Sequence, residues 1–433
     1  MADPQMMRGE SKDLTIAIDA RAELGSSGGV DEVLVGLLTG LSSLEDGCES
    51  YVYLGFEGSR EWLQEFARPR DRLLLTNAGK PKRRRGAAER AAQILAQNRA
   101  VQRLPGLKPT PPRSDGTLES AGADVVHFTR QAAFLTGVPS IFLPHDLQHQ
   151  YLPHFFSARE LARRSLSYGA FCRQASVVSV MTASARRDVV DAYGVEPGRV
   201  GVIQWPPAHG SRGRLSARCL DEVAGRLSLP QKFAFFPAQT LPHKNHLALI
   251  EALALLSRRG LEIPVVFCGR ETEHAEVLRE RAKTLHVAHQ LRWLGYVDDE
   301  CIEALYRNAT CIVFPSRFEG WGMPVVEALE FGVPLICSRL RHYPELLGDA
   351  ALFFDPDRAA DLADALELLW TDSSLARELV RRGFSRRLDR DWSDVARDFR
   401  AQYRLVGGRS LTGDDEERLE RQGIDAAAVR RGQ

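Results

Sequence analysis

Short unbroken apolar runs, each followed by a stretch of helical length, recur along the whole chain. This alternation constrains the fold more than any other feature. A run such as Val177-Val178-Ser179-Val180 offers no polar face to water, so it suits a strand covered on both sides. Such strands, separated by helices, form parallel sheets with helices on both faces, an α/β architecture. Runs at 14–19, 51–55, 73–76, 124–128, 140–143, 177–181 and 200–203 make a first set. Runs at 233–236, 264–268, 291–294, 311–314, 334–337 and 351–354 make a second. Helices are expected between them, the last at about 374–382 with Gly383 as its stop.

The chain therefore reads as two doubly wound, Rossmann-like halves, 14–206 and 230–391. The stretch 207–229 follows Pro206, contains Pro207, Gly210, Gly213 and several Arg, and has the composition of a linker. A final helix at about 392–407 is placed to pack back on the first half. The charged stretch 408–433 is expected to fray.

A length of 433 residues fits two or three domains. Lys+Arg and Asp+Glu balance at 57 each, which excludes a global basic field for nucleic acid. No long apolar window suggests a membrane span, and residues 1–13 lack an apolar signal core. The seven Cys include no CxxC pair. Cys268, Cys311 and Cys337 sit in strand-like runs as buried thiols, which suits a reducing cytoplasm. One segment departs from the pattern. Lys80-Pro81-Lys82-Arg83-Arg84-Arg85 precedes an Ala-rich stretch, 87–104, and a Pro-rich loop, 105–116. It reads as a solvated helix cap and mobile loop, or as a contact with anionic lipid at the inner face of a membrane or with an anionic acceptor.

The most specific chemistry lies at Phe314-Pro315-Ser316-Arg317-Phe318-Glu319-Gly320-Trp321-Gly322-Met323-Pro324-Val325-Val326-Glu327. A strand ends at Pro315, a Gly-spaced loop follows, and a helix opens with Pro324 near its first position. Free N–H groups and the helix dipole make such a junction an anion site, and Gly320 and Gly322 let backbone approach a phosphate. Glu319 precedes the helix and Glu327 lies one turn inside it. A carboxylate accepts two hydrogen bonds and so matches a vicinal diol. Diols on either side of a diphosphate describe a nucleotide-sugar, with Glu327 on the ribose and Glu319 on the transferred sugar.

From these residues the chain resembles glycosyltransferase family 4, whose members carry a Glu-x7-Glu motif in this setting. The resemblance covers most of the chain. It includes Phe233-Ala234-Phe235-Phe236-Pro237-Ala238-Gln239-Thr240-Leu241-Pro242-His243-Lys244-Asn245-His246, Leu294-Gly295-Tyr296-Val297, Gly332-Val333-Pro334 and Leu352-Phe353-Phe354-Asp355-Pro356. It implies a GT-B fold, two Rossmann-like domains facing across a cleft, and retaining transfer of a hexose-type sugar to a glycan, glycolipid or other glycoside, in polysaccharide or cell-envelope glycan synthesis. Lys244 is then expected on the donor diphosphate. Gln239 stands where many members have Arg, with Arg317 as a possible substitute charge. Gly269, Tyr296 and Val297 are expected near the nucleotide, and Gly320, Trp321, Gly322 and Met323 along the phosphate loop. The nucleotide-sugar is a substrate, and neither cofactor nor metal is expected.

In the first half, Gly25-Ser26-Ser27-Gly28-Gly29-Val30 follows a strand and precedes an apolar helix. Gly28 and Gly29 are expected to face the donor phosphates and the acceptor. Pro144-His145-Asp146-Leu147-Gln148-His149 resembles the family's interdomain His loop. His145 is expected to donate to a hydroxyl of the transferred sugar and Asp146 to orient it. His149 and His154 lack Cys or carboxylate partners at ligand spacing. The Asp-x-Asp runs at 355–357 and 389–391 read as turn chemistry, not metal binding.

No carboxylate is placed as an obvious nucleophile, so front-side displacement is expected, with the leaving phosphate taking the acceptor proton. Other readings are weaker. A regulatory nucleotide-sugar-binding protein with lost turnover draws on Gln239 alone. A nicotinamide dehydrogenase needs a complete Gly-x-Gly-x-x-Gly, which is missing. A phosphorylase of the same fold needs a cofactor Lys in another setting.

Overall fold

The computed structural model describes residues 13–25, 28–76, 110–209 and 215–432. β1 (Leu14–Asp19), β2 (Glu49–Phe56), β3 (Arg72–Thr76), β4 (Val125–Phe128), β5 (Ser140–Phe142), β6 (Val177–Val180) and β7 (Val200–Val202) form the first sheet. Its order is β3-β2-β1-β4-β5-β6-β7, and all pairings are parallel. β8 (Ala234–Pro237), β9 (Val265–Cys268), β10 (Leu291–Trp293), β11 (Cys311–Phe314), β12 (Leu335–Ser338) and β13 (Ala351–Phe354) form the second. Its order is β10-β9-β8-β11-β12-β13, again parallel throughout. Strand order reverses between β1 and β4 and between β8 and β11. Crevices open at the carboxyl ends of the strands at such points.

Both faces of each sheet are covered, as the continuous apolar runs require. On β1, Ile16 and Ile18 join one buried cluster while Ala17 joins the cluster on the opposite face. Phe235, Phe236, Phe267 and Phe314 fill the core of the second half. Among the helices, α1 (Gly29–Ser42) follows β1, α2 (Ala217–Arg226) precedes β8, and α3 (His246–Arg258) follows it. α4 (Asp299–Asn308) and α5 (Met323–Phe331) flank β11. The chain ends in α6 (Trp392–Val406), α7 (Gly413–Gln422) and α8 (Ala426–Arg431).

α6 crosses back to the first half and lies along α1. A Cβ at Gly36 would stand 2.2 Å from the Trp392 ring, and one at Gly40 2.0 Å from the Trp392 carbonyl oxygen. The two glycines thus let the helices approach closely. Arg404 pairs with Glu49 at 2.6 Å and ties α6 to the edge of β2.

Two expectations need correction. The stretch 207–229 is not a plain linker, because α2 forms within it. Ser216 caps the helix by accepting from the Cys219 N–H, and Val223 packs with Cys301 and Ala304 of α4. The tail 408–433 does not fray. Thr412 and Asp415 form a capping box at α7, and Leu419, Ile424 and Val429 are buried in the first-half core. Arg404–Asp415 at 2.9 Å and Arg418–Asp398 at 3.1 Å carry the charge of this segment inward.

Among the described residues, no helix is long and apolar enough to cross a membrane. All seven cysteines are free thiols. The basic run 80–85 and the helix expected after it lie outside the described residues.

Candidate active site between the two halves

The two halves meet where the strand-end loops face each other. Gly320 sits so close to the first half that a Cβ there would stand 2.2 Å from the His145 carbonyl oxygen. On the other side of the crevice, a Cβ at Gly28 would stand 2.8 Å from Nε2 of Gln239. Two of the expected glycines are therefore points of close approach. Gly28 also has φ 57 and caps α1, a left-handed conformation that suits glycine. Gly29 opens α1 with free space around it.

Lys244 and Glu319 are brought together from loops 75 residues apart. Lys244 Nζ donates to Glu319 Oε1 at 2.7 Å, and both side chains are largely buried. Burial works against the Glu319 charge, but Lys244, with His243 and Ser316, outweighs it and holds the carboxyl below its ordinary value. The pair depends on Asn245, whose side-chain amide donates to the carbonyls of Pro315 at 3.0 Å and Pro356 at 2.8 Å. Asn245 has φ 61 and caps α3. Arg317 N–H donates to the His243 carbonyl at 2.8 Å, a second tie between the two loops. Sequence reasoning missed Asn245. Its signal was its place between a Pro-containing turn and a helix start, where Asn tolerates a left-handed conformation.

Arg317, the substitute charge, is engaged by protein groups in this structure. Its guanidinium pairs with Asp357 at 2.6 Å and donates to Asn245 at 3.2 Å. Gly269, at φ 125, lies against the backbone of Ala238 and Gln239, and a Cβ there would stand 2.6 Å from the Ala238 carbonyl carbon. Tyr296 is 67% exposed, so its ring is open to solvent. Val297 packs partly against the core beneath it.

Along the phosphate loop, Gly322 caps α5 at φ 91 with the Tyr343 hydroxyl beneath it. Trp321 departs from expectation. Its indole is 4% exposed and buried in the first-half cluster, so it is a wedge between the halves and only its backbone remains for a ligand. Met323 and Val326 pack against the same cluster.

His145 also differs from its expected role. Nε2 lies 2.7 Å from the Thr129 carbonyl oxygen. A carbonyl only accepts, so Nε2 carries the proton. Burial lowers the imidazole to about 4, which leaves the ring neutral with Nδ1 as an acceptor. A sugar hydroxyl would therefore donate to His145, not accept from it. The residue has φ 62, a strained conformation held by its surroundings. Asp146 does not orient it. Its carboxylate accepts from Gln131 Nε2 at 3.1 Å and from the Gln148 N–H at 3.0 Å. His149 packs on Tyr168 and lies 3.3 Å from the Tyr193 hydroxyl.

Glu327 is 3% exposed, on the inner face of α5. The Tyr306 hydroxyl of α4 donates to Oε2 at 2.7 Å, and His209 Nδ1 lies 2.6 Å from Oε1. His209 was not foreseen. It lies 118 residues from Glu327 at the end of a Pro-rich run, where no local pattern marks it.

Comparison with known proteins bears on the family and the fold. Residues 27–205 match the model described as Glycosyltransferase Family 4, and residues 222–386 match that of Glycosyl transferases group 1. The O-antigen chain mannosyltransferase B of Escherichia coli is 26% identical over 281 residues, 62% of this chain and 73% of that protein. The serotype-specific mannosyltransferase WbdA of the same organism is 27% identical over 229 residues, 52% of this chain. The chain spans only 28% of WbdA. The crystal structure of Anabaena Alr3699/HepE with UDP and glucose superposes with a TM-score of 0.65 at 16% identity, over 90% of this chain and 99% of that one. At that identity it speaks for the fold alone. With both halves matched in order and the two sheets facing across one cleft, the chain belongs to glycosyltransferase family 4, with the GT-B fold, and is a glycosyltransferase.

Proposed function

We propose that the chain transfers a hexose from a nucleotide-sugar to a growing glycan with retention of configuration and without a bound metal. The observation that carries this is the Lys244–Glu319 pair at 2.7 Å beside the start of α5. A buried ammonium beside a helix N-terminus suits a diphosphate whose charge grows as the glycosidic bond breaks. It supplies locally the positive charge that a metal supplies elsewhere. Glu319 faces the transferred sugar and Glu327 the ribose. The names of the E. coli relatives support a hexose and a polysaccharide. The Anabaena protein of like fold holds UDP and glucose, the two parts of a nucleotide-sugar.

The acceptor approaches from the first half. A cavity of about 360 Å³ opens there beside the strand ends, lined by Asp19, Arg21, Arg113, Asp115, Arg130 and Phe134 among others. Alternating Arg and Asp with an aromatic face suits a saccharide. In the transfer the C1–phosphate bond breaks and the acceptor oxygen bonds to C1 on the same face. The acceptor proton passes to the departing phosphate oxygen. Protein groups position the reactants and stabilise the departing charge, and closure of the halves excludes water.

The test is a thermal-shift and turnover screen of GDP-mannose, UDP-glucose and their analogues, with and without EDTA, and with NMR of the product anomer. Stabilisation by one of them, unaffected by EDTA and lost in Lys244→Ala, is expected. An inverted product, or binding abolished by EDTA, would overturn the corresponding part of the proposal.

A further inference from the structure

We propose that His209, in the segment joining the halves, is a positioning residue for the nucleotide: with Tyr306 it clamps Glu327 so that an acceptor site on Oε2 is left for a ribose hydroxyl. The inference rests on the reading of Glu327 as the ribose carboxylate.

A carboxylate offers about four acceptor sites, two on each oxygen. The Tyr306 hydroxyl uses one on Oε2 at 2.7 Å, and His209 Nδ1 uses one on Oε1 at 2.6 Å. The His209 backbone N–H adds a longer contact to Oε1 at 3.3 Å. One site remains, on Oε2, which is the requirement of a single ribose hydroxyl. Without the clamp a carboxylate this buried turns toward any available donor, and its lone pairs lose their alignment.

His209 is held in turn. Its Nε2 lies 3.4 Å from Asp299 Oδ1 of α4, so the imidazole is bracketed by two carboxylates. Glu32, in the first turn of α1, adds its field from the first half. Thus Glu327 of α5, Asp299 of α4 and Glu32 of α1 all act on this ring. Burial alone would discharge the imidazole, but these carboxylates raise it to about 10. The ring is therefore a cation at neutral pH, and both its nitrogens donate. Tyr296, the residue that the family resemblance sets near the nucleobase, lies near the same acidic groups. Since His209 belongs to neither sheet, the ribose carboxylate is set by the connecting segment, and the path of that segment becomes part of nucleotide recognition.

The experiment is calorimetric titration of the full chain with GDP and UDP and with their 2′-deoxy forms. Wild type is expected to prefer the ribo form at least tenfold, the scale of a hydrogen bond to a charged group. In His209→Ala and in Tyr306→Phe the ratio should collapse toward one, while affinity for the deoxy form stays within about twofold. His209→Asn, which keeps a donor near the Nδ1 position, should restore part of the ratio. Wild-type discrimination should persist to about pH 9 and decline above it. An unchanged ratio in His209→Ala overturns the proposal, as does equal loss of ribo and deoxy binding, which marks a merely structural role. Glu327→Ala separates the two levels. If it keeps the ratio, the ribose reading itself falls. If it loses the ratio while His209→Ala keeps it, only the clamp falls. Binding of neither nucleotide overturns both.

Discussion

Lys244 and Glu319 each satisfy the other when no substrate is bound, so removing one leaves a largely buried charge alone. Lys244→Ala should cost about 3 kcal/mol of stability, because an unpaired buried carboxylate is expensive. It should also lower kcat/KM by about 10²–10³-fold, the scale for losing one group that meets developing charge. The double substitution Lys244→Met, Glu319→Leu should recover most of the stability and none of the activity. Denaturant melts and steady-state rates on the three proteins check this, and activity returning with stability would sink it. His209 adds a pH signature. Its folded value near 10 exceeds the ordinary 6.5. A raised cationic group stabilises fully below the unfolded value and loses that contribution as pH rises through the folded one. The difference in melting temperature between wild type and His209→Ala should thus be largest near pH 6, shrink from about 6.5 upward, and vanish near 10. A difference that grows with pH would refute the assignment. At this scale the sequence shows charge and spacing but not who meets whom. Lys244 and Glu319 stood out because each follows an apolar strand. His209 did not, because its partner is far along the chain, and the proton on His145 Nε2 became clear only with the Thr129 carbonyl in place.

The strands were legible because parallel strands covered on both faces are written as unbroken apolar runs, and each run lies in one of the two sheets. The closing helices were not. α7 and α8 contribute Leu419, Ile424 and Val429 to the core, a spacing broken by Gly423 that matches no helical stripe, amid mostly charged residues. α2 carries Leu220, Val223 and Leu227 at helical spacing, a signal overshadowed by the Pro and Gly before it. The structure makes α7 an anchored element, so Thr412→Ala should cost about 1 kcal/mol through loss of the cap. Removing residues 412–433 should cost several times more by uncovering the α6 face, and should make α6 the first site of limited proteolysis. A truncated chain with unchanged melting temperature would return these helices to the status of a tail.

At the scale of the whole molecule, each half has its own core, yet one element belongs to both. α5 grows from the second sheet, while Trp321, Met323 and Val326 at its start pack into the first-half cluster. The anion site and the join between the halves are thus the same few residues. Around the wedge, Tyr151 stacks on Phe318 at 5.3 Å and Arg341 pairs with Asp188 at 2.8 Å, both across the cleft. The sequence announced two halves but not this sharing, because a Trp between two glycines reads locally as a loop residue. Trp321→Ala should cost about 3–5 kcal/mol by the cavity it leaves. Because the lost contacts join two otherwise complete cores, the loss should uncouple them, turning a single calorimetric transition into two. KM for the nucleotide-sugar should rise together with a fall in kcat, since the loop next to Trp321 holds Glu319. Arg341→Ala is the control, a pair whose cation is half exposed, worth about 1 kcal/mol. It should leave one transition and change only the ease of closure, read as faster hydrolysis of the nucleotide-sugar without acceptor. If Trp321→Ala still unfolds in one step, the halves are coupled elsewhere, and the linker carrying His209 is the next place to cut.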